Sequence, residues 1–204
     1  MSTTTKKPRV AFQGERGAFS EEAALKLLGP ELELVPRRTF ADLYESLDNG
    51  VADYVLAPVE NSIAGVVQPS VDLLNSKSLR ILDEIQIKIE QHLIGCPGTS
   101  FESIDAVQSH PTALAQCSRF FETNPQLQRI VADDTAGSVA EVMRRADPKR
   151  AAIAGQHAAD LYGATIIRRS IQDIAENYTR FVLLSASTGQ TLEPPTLEVK
   201  EHAS

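Results

Sequence analysis

The stretch "IAENYTRFVLLS", residues 174–185, sets Asn177, Thr179 and Arg180 directly before the apolar run 181–184. An amide, a hydroxyl and a guanidinium this close together suit one kind of chemistry, the donation of hydrogen bonds to an oxygen-rich anion. Arginine grips a carboxylate through two parallel N–H bonds. A threonine hydroxyl is far too weak an acid for conventional general-acid work, so it offers a directed hydrogen bond instead. The same residues would also end a helix and open an edge strand, with Arg180 paired to a surface carboxylate. On these residues alone both readings stand. A regular strand puts Thr179 and Phe181 on one face and Arg180 on the other. All three reach one pocket only where the segment is irregular or crosses between two bodies.

Donors of the same kind follow other predicted strands. They are Gly14–Ser20 after the strand at 9–14, Asn61 and Ser62 after 52–60, and Ser109 and His110 after 103–109. Asp134 and Thr135 follow 127–132, and Gln156 and His157 follow 150–155. In open α/β sheets, ligands bind at the carboxyl ends of strands, where helix N-termini present free N–H groups. Each position also has a plain structural reading. The glycines of "GERG" serve a tight turn, and the pattern is neither a P-loop nor GxGxxG. Ser20 and Thr135 read as helix caps, Asn61-Ser62 as a turn, and His110 as a cap before Pro111 or as solvated. Glu21-Glu22, Asp133-Asp134, Arg144-Arg145 and Arg168-Arg169 read as solvated faces.

The elements that must position these groups alternate regularly. Helices are predicted at 20–29, 39–50, 69–78, 110–124, 134–147 and 156–163. Strands lie between them, at 9–14, 32–36, 52–60 and 79–85, then at 103–109, 127–132, 150–155 and 164–171, with 87–96 extended. Strand and helix thus alternate through two similar halves, which implies an α/β fold with mainly parallel sheets flanked by helices. Two lobes are expected, one from 8–84 plus 176–186 and the other from 85–175. A polar tail with two prolines follows at 187–204.

With 204 residues, 42% of them hydrophobic, the chain can bury a sizeable core. A formal charge of −7 argues against a general nucleic-acid or membrane-surface binder. The start runs from polar residues straight into a strand pattern, so a cytoplasmic protein is expected. Cys96 and Cys117 have no CxxC spacing, and the four histidines form no HExxH. Neither a metal nor another cofactor is therefore expected. Cys117 reads as a buried structural thiol.

Six blocks in order, "VAFQGERGAFSEEAA", "APVENSIAGVV", "QSHPTALAQC", "DTAGSVAEV", "AAIAGQHAADLYG" and "IQDIAENYTRF", resemble the catalytic domain of the prephenate dehydratase family and its arogenate dehydratase relatives. The resemblance implies a periplasmic-binding-protein-like fold of two lobes. It also implies loss of water and carbon dioxide from prephenate to give phenylpyruvate, in phenylalanine biosynthesis. It places the functional threonine at Thr179, with Arg180 and Phe181 beside it, and cleft-lining positions at Asn61, Ser62, Ser109, His110 and Thr135. Backbone N–H groups at Ala18, Phe19 and Ser20, at Ser62, around Pro111-Thr112 and at 135–137 are expected as further donors to the substrate. Whether Thr179 or His110 serves as acid stays open. No ACT regulatory domain is expected, so phenylalanine control is not carried over, and a homodimer is left open. The alternatives are arogenate as substrate and a non-catalytic module binding a small anion. No carboxylate is clearly placed to pair an ammonium, which inclines the reading to prephenate.

Overall fold

The computed structural model describes residues 7–186; the tail read at 187–204 lies outside the described residues. The first part of the chain forms β1 (Arg9–Gln13), α1 (Phe19–Leu28), β2 (Glu33–Arg37), α2 (Phe40–Asp48), β3 (Tyr54–Asn61), β4 (Gly65–Val66), α3 (Gln68–Ser76) and β5 (Leu79–Lys88). The second part forms β6 (His92–Gly95), β7 (Ala106–Ser109), α4 (Pro111–Gln116), α5 (Ser118–Thr123), β8 (Gln128–Val131), α6 (Thr135–Arg145), β9 (Arg150–Ala154), α7 (Gln156–Tyr162) and β10 (Thr165–Arg168). The last strand, β11 (Tyr178–Ala186), returns to the first sheet.

The two sheets run β2-β1-β3-β11-β5, with β4 on β3, and β10-β6-β9-β7-β8. Both are mixed. The helix-linked strands pair in parallel, as β1 does with β2 and β3 and as β7 does with β8 and β9. The strands on either side of the crossings between sheets pair antiparallel: β11 with β3 and β5, and β6 with β9 and β10. The topology explains the difference from the mainly parallel expectation. A crossover helix returns the chain to the far end of its sheet, giving parallel neighbours. A chain arriving from the other sheet enters at the facing end and must run the opposite way. The first crossing falls at 89–91, because β5 continues to Lys88.

β11 is central and buried on both faces, which is why 181–184 reads as an unbroken apolar run. Phe181 and Leu183 pack with Val10, Leu56 and Ile87 beneath Ala23 and Ala24 of α1. Val182 and Leu184 pack with Ala11, Val55 and Ala57 against Leu43 and Tyr44 of α2. A third cluster joins the two sheets: Phe12 and Ala18 meet Ala136, Val139, Ala154 and Ala158. That contact needs Gly17, where φ is +88° and a Cβ would come within 3.0 Å of the Ala158 Cα.

Several helix ends depart from expectation. α1 starts one residue early, so Ala18 occupies the cap position without a side-chain bond and Ser20 lies inside the first turn, buried. Thr39 caps α2 as expected, accepting from Asp42 N at 3.1 Å. Asp134 rather than Thr135 caps α6, accepting from Gly137 N at 2.7 Å. The helix expected at 110–124 breaks at Cys117 into α4 and α5. The cause is tertiary: Asp173, from the second crossing, accepts from Ser118 N (3.0 Å), Ser118 Oγ (2.6 Å) and Arg119 N (2.9 Å), capping a new helix start. Among the described residues no helix is long and apolar enough to cross a membrane.

Candidate active site

A one-residue irregularity builds the site. Along β3, Val55, Ala57 and Val59 face the α2 side, and strict alternation would send Asn61 the same way. Yet Phe181 pairs with Pro58 while Arg180 pairs with Glu60, so Val59 is an extra residue, a β-bulge. Beyond it the faces exchange. Asn61 comes to lie opposite Thr179 on the α1 side, and Glu60 lies opposite Arg180 on the other.

Asn61, Asn177 and Thr179 form one network there. Asn61 Nδ2 donates to Asn177 Oδ1 (2.7 Å) and Thr179 Oγ1 (2.9 Å), with Tyr178 O at 3.1 Å. Asn61 Oδ1 accepts from the backbone N–H groups of Ile63 (3.0 Å) and Ala64 (2.8 Å). Asn177 is 0% exposed and its Nδ2 has no hydrogen-bond partner. A buried unpaired amide donor costs about 1–3 kcal/mol, so an acceptor brought to this position would be favoured. Thr179 is 9% exposed. Its hydroxyl accepts from Asn61 and donates to no group among the described residues.

Asn177 also walls a cavity of about 280 Å³ with Ile63, Ala64, Thr112, Ala115, Gln116, Gln172, Asp173 and Ile174. The wall is largely apolar and holds no lysine or arginine. Its one carboxylate, Asp173, is occupied by Ser118 and Arg119; those bonds hold it below its ordinary pKa although burial pulls upward. Next to Thr112, the half-buried His110 accepts at Nδ1 from Thr112 N (3.2 Å).

The other expected site residues lie elsewhere or are already engaged. Arg180 points to the face away from Thr179 and pairs with Glu84 (3.1 Å) and Glu60 (3.4 Å). It forms an ion pair on the outer face, while its Nε is buried without a hydrogen-bond partner among the described residues. Phe181, 2% exposed, belongs to the core. Ser109 is fully buried and its Oγ donates to Ile153 O at 2.6 Å. Ser62 stitches the β3 turn to β11: its N donates to Tyr178 O (2.8 Å) and its Oγ accepts from Tyr178 N (2.9 Å). Ala18 is core. Phe19 packs on Gly155, where a Cβ would meet the ring at 2.7 Å, and lines a separate polar cavity of about 450 Å³ with Lys88, His92 and His157. Ser20 is buried within α1, and Thr135 opens α6 without walling the Asn177 cavity. Of the backbone donors, Ala18 N, Ser62 N, Thr112 N and Gly137 N are spent inside the protein.

Glu21 corrects another expectation. It is not solvated but 1% exposed, accepting from Arg16 Nε (2.8 Å) and Gly17 N (3.0 Å), with His157 Nε2 of α7 at 3.3 Å. Burial alone would raise its pKa. The bonds from His157, Arg16 and Gly17 overcome that and hold it at about 2. Cys117, pushed up to about 12 by burial and by nearby Asp173, is an inert thiol. Among the described residues no group of three or more His, Cys, Asp or Glu could hold a metal ion.

Two mixed sheets flanked by helices, with a donor network and a small cavity near the crossing between them, define a two-sheet α/β protein. Residues 10–188 match the prephenate dehydratase family, and the chain belongs to that family. It is 38% identical over 177 residues to arogenate dehydratase/prephenate dehydratase 2 of Arabidopsis thaliana, covering 87% of this chain and 46% of that protein. It is 35% identical over 181 residues to the bifunctional chorismate mutase/prephenate dehydratase of Aquifex aeolicus, covering 88% and 49%. The chain thus spans about half the length of the curated relatives it matches. The solved prephenate dehydratase of Arthrobacter aurescens in complex with L-Phe superposes with a TM-score of 0.80 at 27% identity, over 89% of this chain and 61% of that one. A structure described as a novel type of quorum-quenching acylase superposes with a TM-score of 0.78 at 32% identity, over 89% and 65%.

Proposed function

We propose that this chain converts prephenate to phenylpyruvate, water and carbon dioxide. The observation that carries the reading is the unpaired Asn177 amide at the wall of a largely apolar cavity, tied through Asn61 to the Thr179 hydroxyl. In the reaction the bond to the ring carboxylate breaks and its electron pair enters the ring. The carbon–oxygen bond to the ring hydroxyl breaks in the same direction, and the departing oxygen takes up a proton and leaves as water. The ring becomes aromatic. Negative charge gathers on the leaving oxygen, where a preorganised donor lowers the barrier most; Thr179 is that donor. The apolar wall of Ile63, Ala64, Ala115 and Ile174 suits the ring. A wall without lysine or arginine also suits decarboxylation, because a tight ion pair would stabilise the carboxylate most before its charge disperses.

Asp173, the one carboxylate in the cavity wall, is already committed to Ser118 and Arg119 through three bonds, which leaves it poorly placed to pair an ammonium group. This favours the keto acid prephenate. Arogenate is the second reading, supported by the plant relatives, whose names include arogenate dehydratases. Acyl transfer would need an activated nucleophile. Among the described residues neither Thr179 nor Ser62 hydrogen-bonds an imidazole or a carboxylate side chain. Incubation with prephenate, read by the alkaline ultraviolet absorbance of phenylpyruvate, tests the proposal, and kcat/KM with each substrate ranks them. Thr179→Val keeps the shape and removes the donor. We expect kcat to fall by about 10²-fold or more with KM little changed. Normal turnover by that variant would remove Thr179 from the chemistry, and no turnover by the wild type would leave a binding module.

A further inference from the structure

Asn61 spends its whole hydrogen-bonding capacity inside the protein. Its oxygen accepts two bonds, from Ile63 N and Ala64 N. Its two hydrogens serve Asn177 Oδ1 and Thr179 Oγ1, with Tyr178 O within reach of a shared bond. A flipped amide would face two backbone N–H groups with its own N–H₂, so the orientation is fixed. We infer that Asn61 is a positioning residue that never touches substrate and instead aims the two donors that do. The bond it gives to Thr179 occupies a lone pair of that oxygen, so the one hydroxyl hydrogen turns away from β3. The same bond polarises the hydroxyl and makes it the better donor. The bond it gives to Asn177 holds that amide with its N–H₂ unpaired. This role rests on the dehydratase reading and replaces Asn61's expected place as a substrate ligand.

Asn61→Asp is the discriminating variant. It keeps the side-chain shape and the oxygen that serves Ile63 and Ala64. When ionised it presents an acceptor to Thr179, whose hydroxyl then turns toward it. When protonated it has one O–H, which can restore the bond to Thr179 but not the bond to Asn177 as well. The nearby carboxylates are accounted for: Glu60 pairs with Arg180 on the opposite face, Glu176 accepts from the Tyr178 hydroxyl at 2.8 Å, and Asp173 in the cavity wall accepts from Ser118 and Arg119. All three are present in the wild type, which serves as the control.

At about pH 8 we expect kcat of the variant to fall by about 10²-fold while KM stays within about threefold. Toward about pH 5 its kcat should climb back as the carboxyl takes up a proton, a rise absent from the wild type and from Thr179→Val. The double variant should be no slower than Thr179→Val alone, because both changes disable one donor. Three results overturn the inference: a KM raised about tenfold with kcat retained, a kcat deficit that does not change with pH, or losses that multiply in the double variant. Should the aspartate variant not fold, Asn61→Ser carries the same double-variant comparison. A wild type that turns over neither prephenate nor arogenate removes the functional reading and this role with it, whereas the variant results bear on this role alone.

Discussion

Glu21→Gln gives the sharpest physical test of how the two sheets are held together. The carboxylate sits in α1 and bonds Arg16 and Gly17 on its own side and His157 of α7 on the other. Its pKa falls from an ordinary 4.5 to about 2. At about 1.36 kcal/mol per pH unit, this amounts to about 3 kcal/mol. The folded-state value is depressed, so the contribution is complete above the unfolded value of 4.5 and is lost as pH falls through about 2. The neutral amide lacks it at every pH. Urea unfolding of both proteins should show a midpoint gap of about 1–3 M at neutral pH, given a urea slope of about 1–3 kcal/mol per molar. The gap should narrow steadily below about pH 4 as the wild type alone loses this contribution. The other carboxylates are common to both proteins and cancel in the difference. A gap of the same size at about pH 3 and pH 7 would refute the reasoning.

Two further outcomes follow from the placement of Arg180 and Asp173. Arg180→Lys should leave kcat/KM within about threefold and stability within about 1 kcal/mol, because the half-exposed arginine meets Glu60 and Glu84 on the outer face; a large rise in KM would return it to the site. Asp173→Ala should lower stability by about 1–2 kcal/mol through loss of the cap on α5. Its folded-state pKa is lowered, so thermal unfolding should show the deficit above the ordinary carboxylate range and shrink as pH falls through it; an equal deficit in acid would contradict the capping role.

The legible part of this protein is the part written in local pattern. The strand at 52–60, the cap Thr39, Pro111 at a helix start and the buried run 181–184 all follow from residue type and period. The place of Thr179 at the mouth of an apolar strand was legible too, two residues after Asn177. The break at Cys117 was not legible, because the group that caps α5 is Asp173, 55 positions on in sequence. Nor was the burial of Glu21, since an acidic pair in a first helical turn ordinarily faces water and only the approach of α7 covers it. Thr112, Gln116 and Gln172 in the cavity wall gave no signal of their own.

The sequence by itself determined the alternation of strand and helix, the two-sheet division and the composition of the donor set, because these depend on neighbours a few residues away. Tertiary structure alone decided which of these donors meet. One extra residue at Val59 exchanges the faces of β3, bringing Asn61 to Thr179 and sending Glu60 to Arg180. Alternation within a strand cannot foretell this, because a bulge is a property of the pairing between two strands, and the partner strand arrives only after the chain has crossed to the other sheet and back.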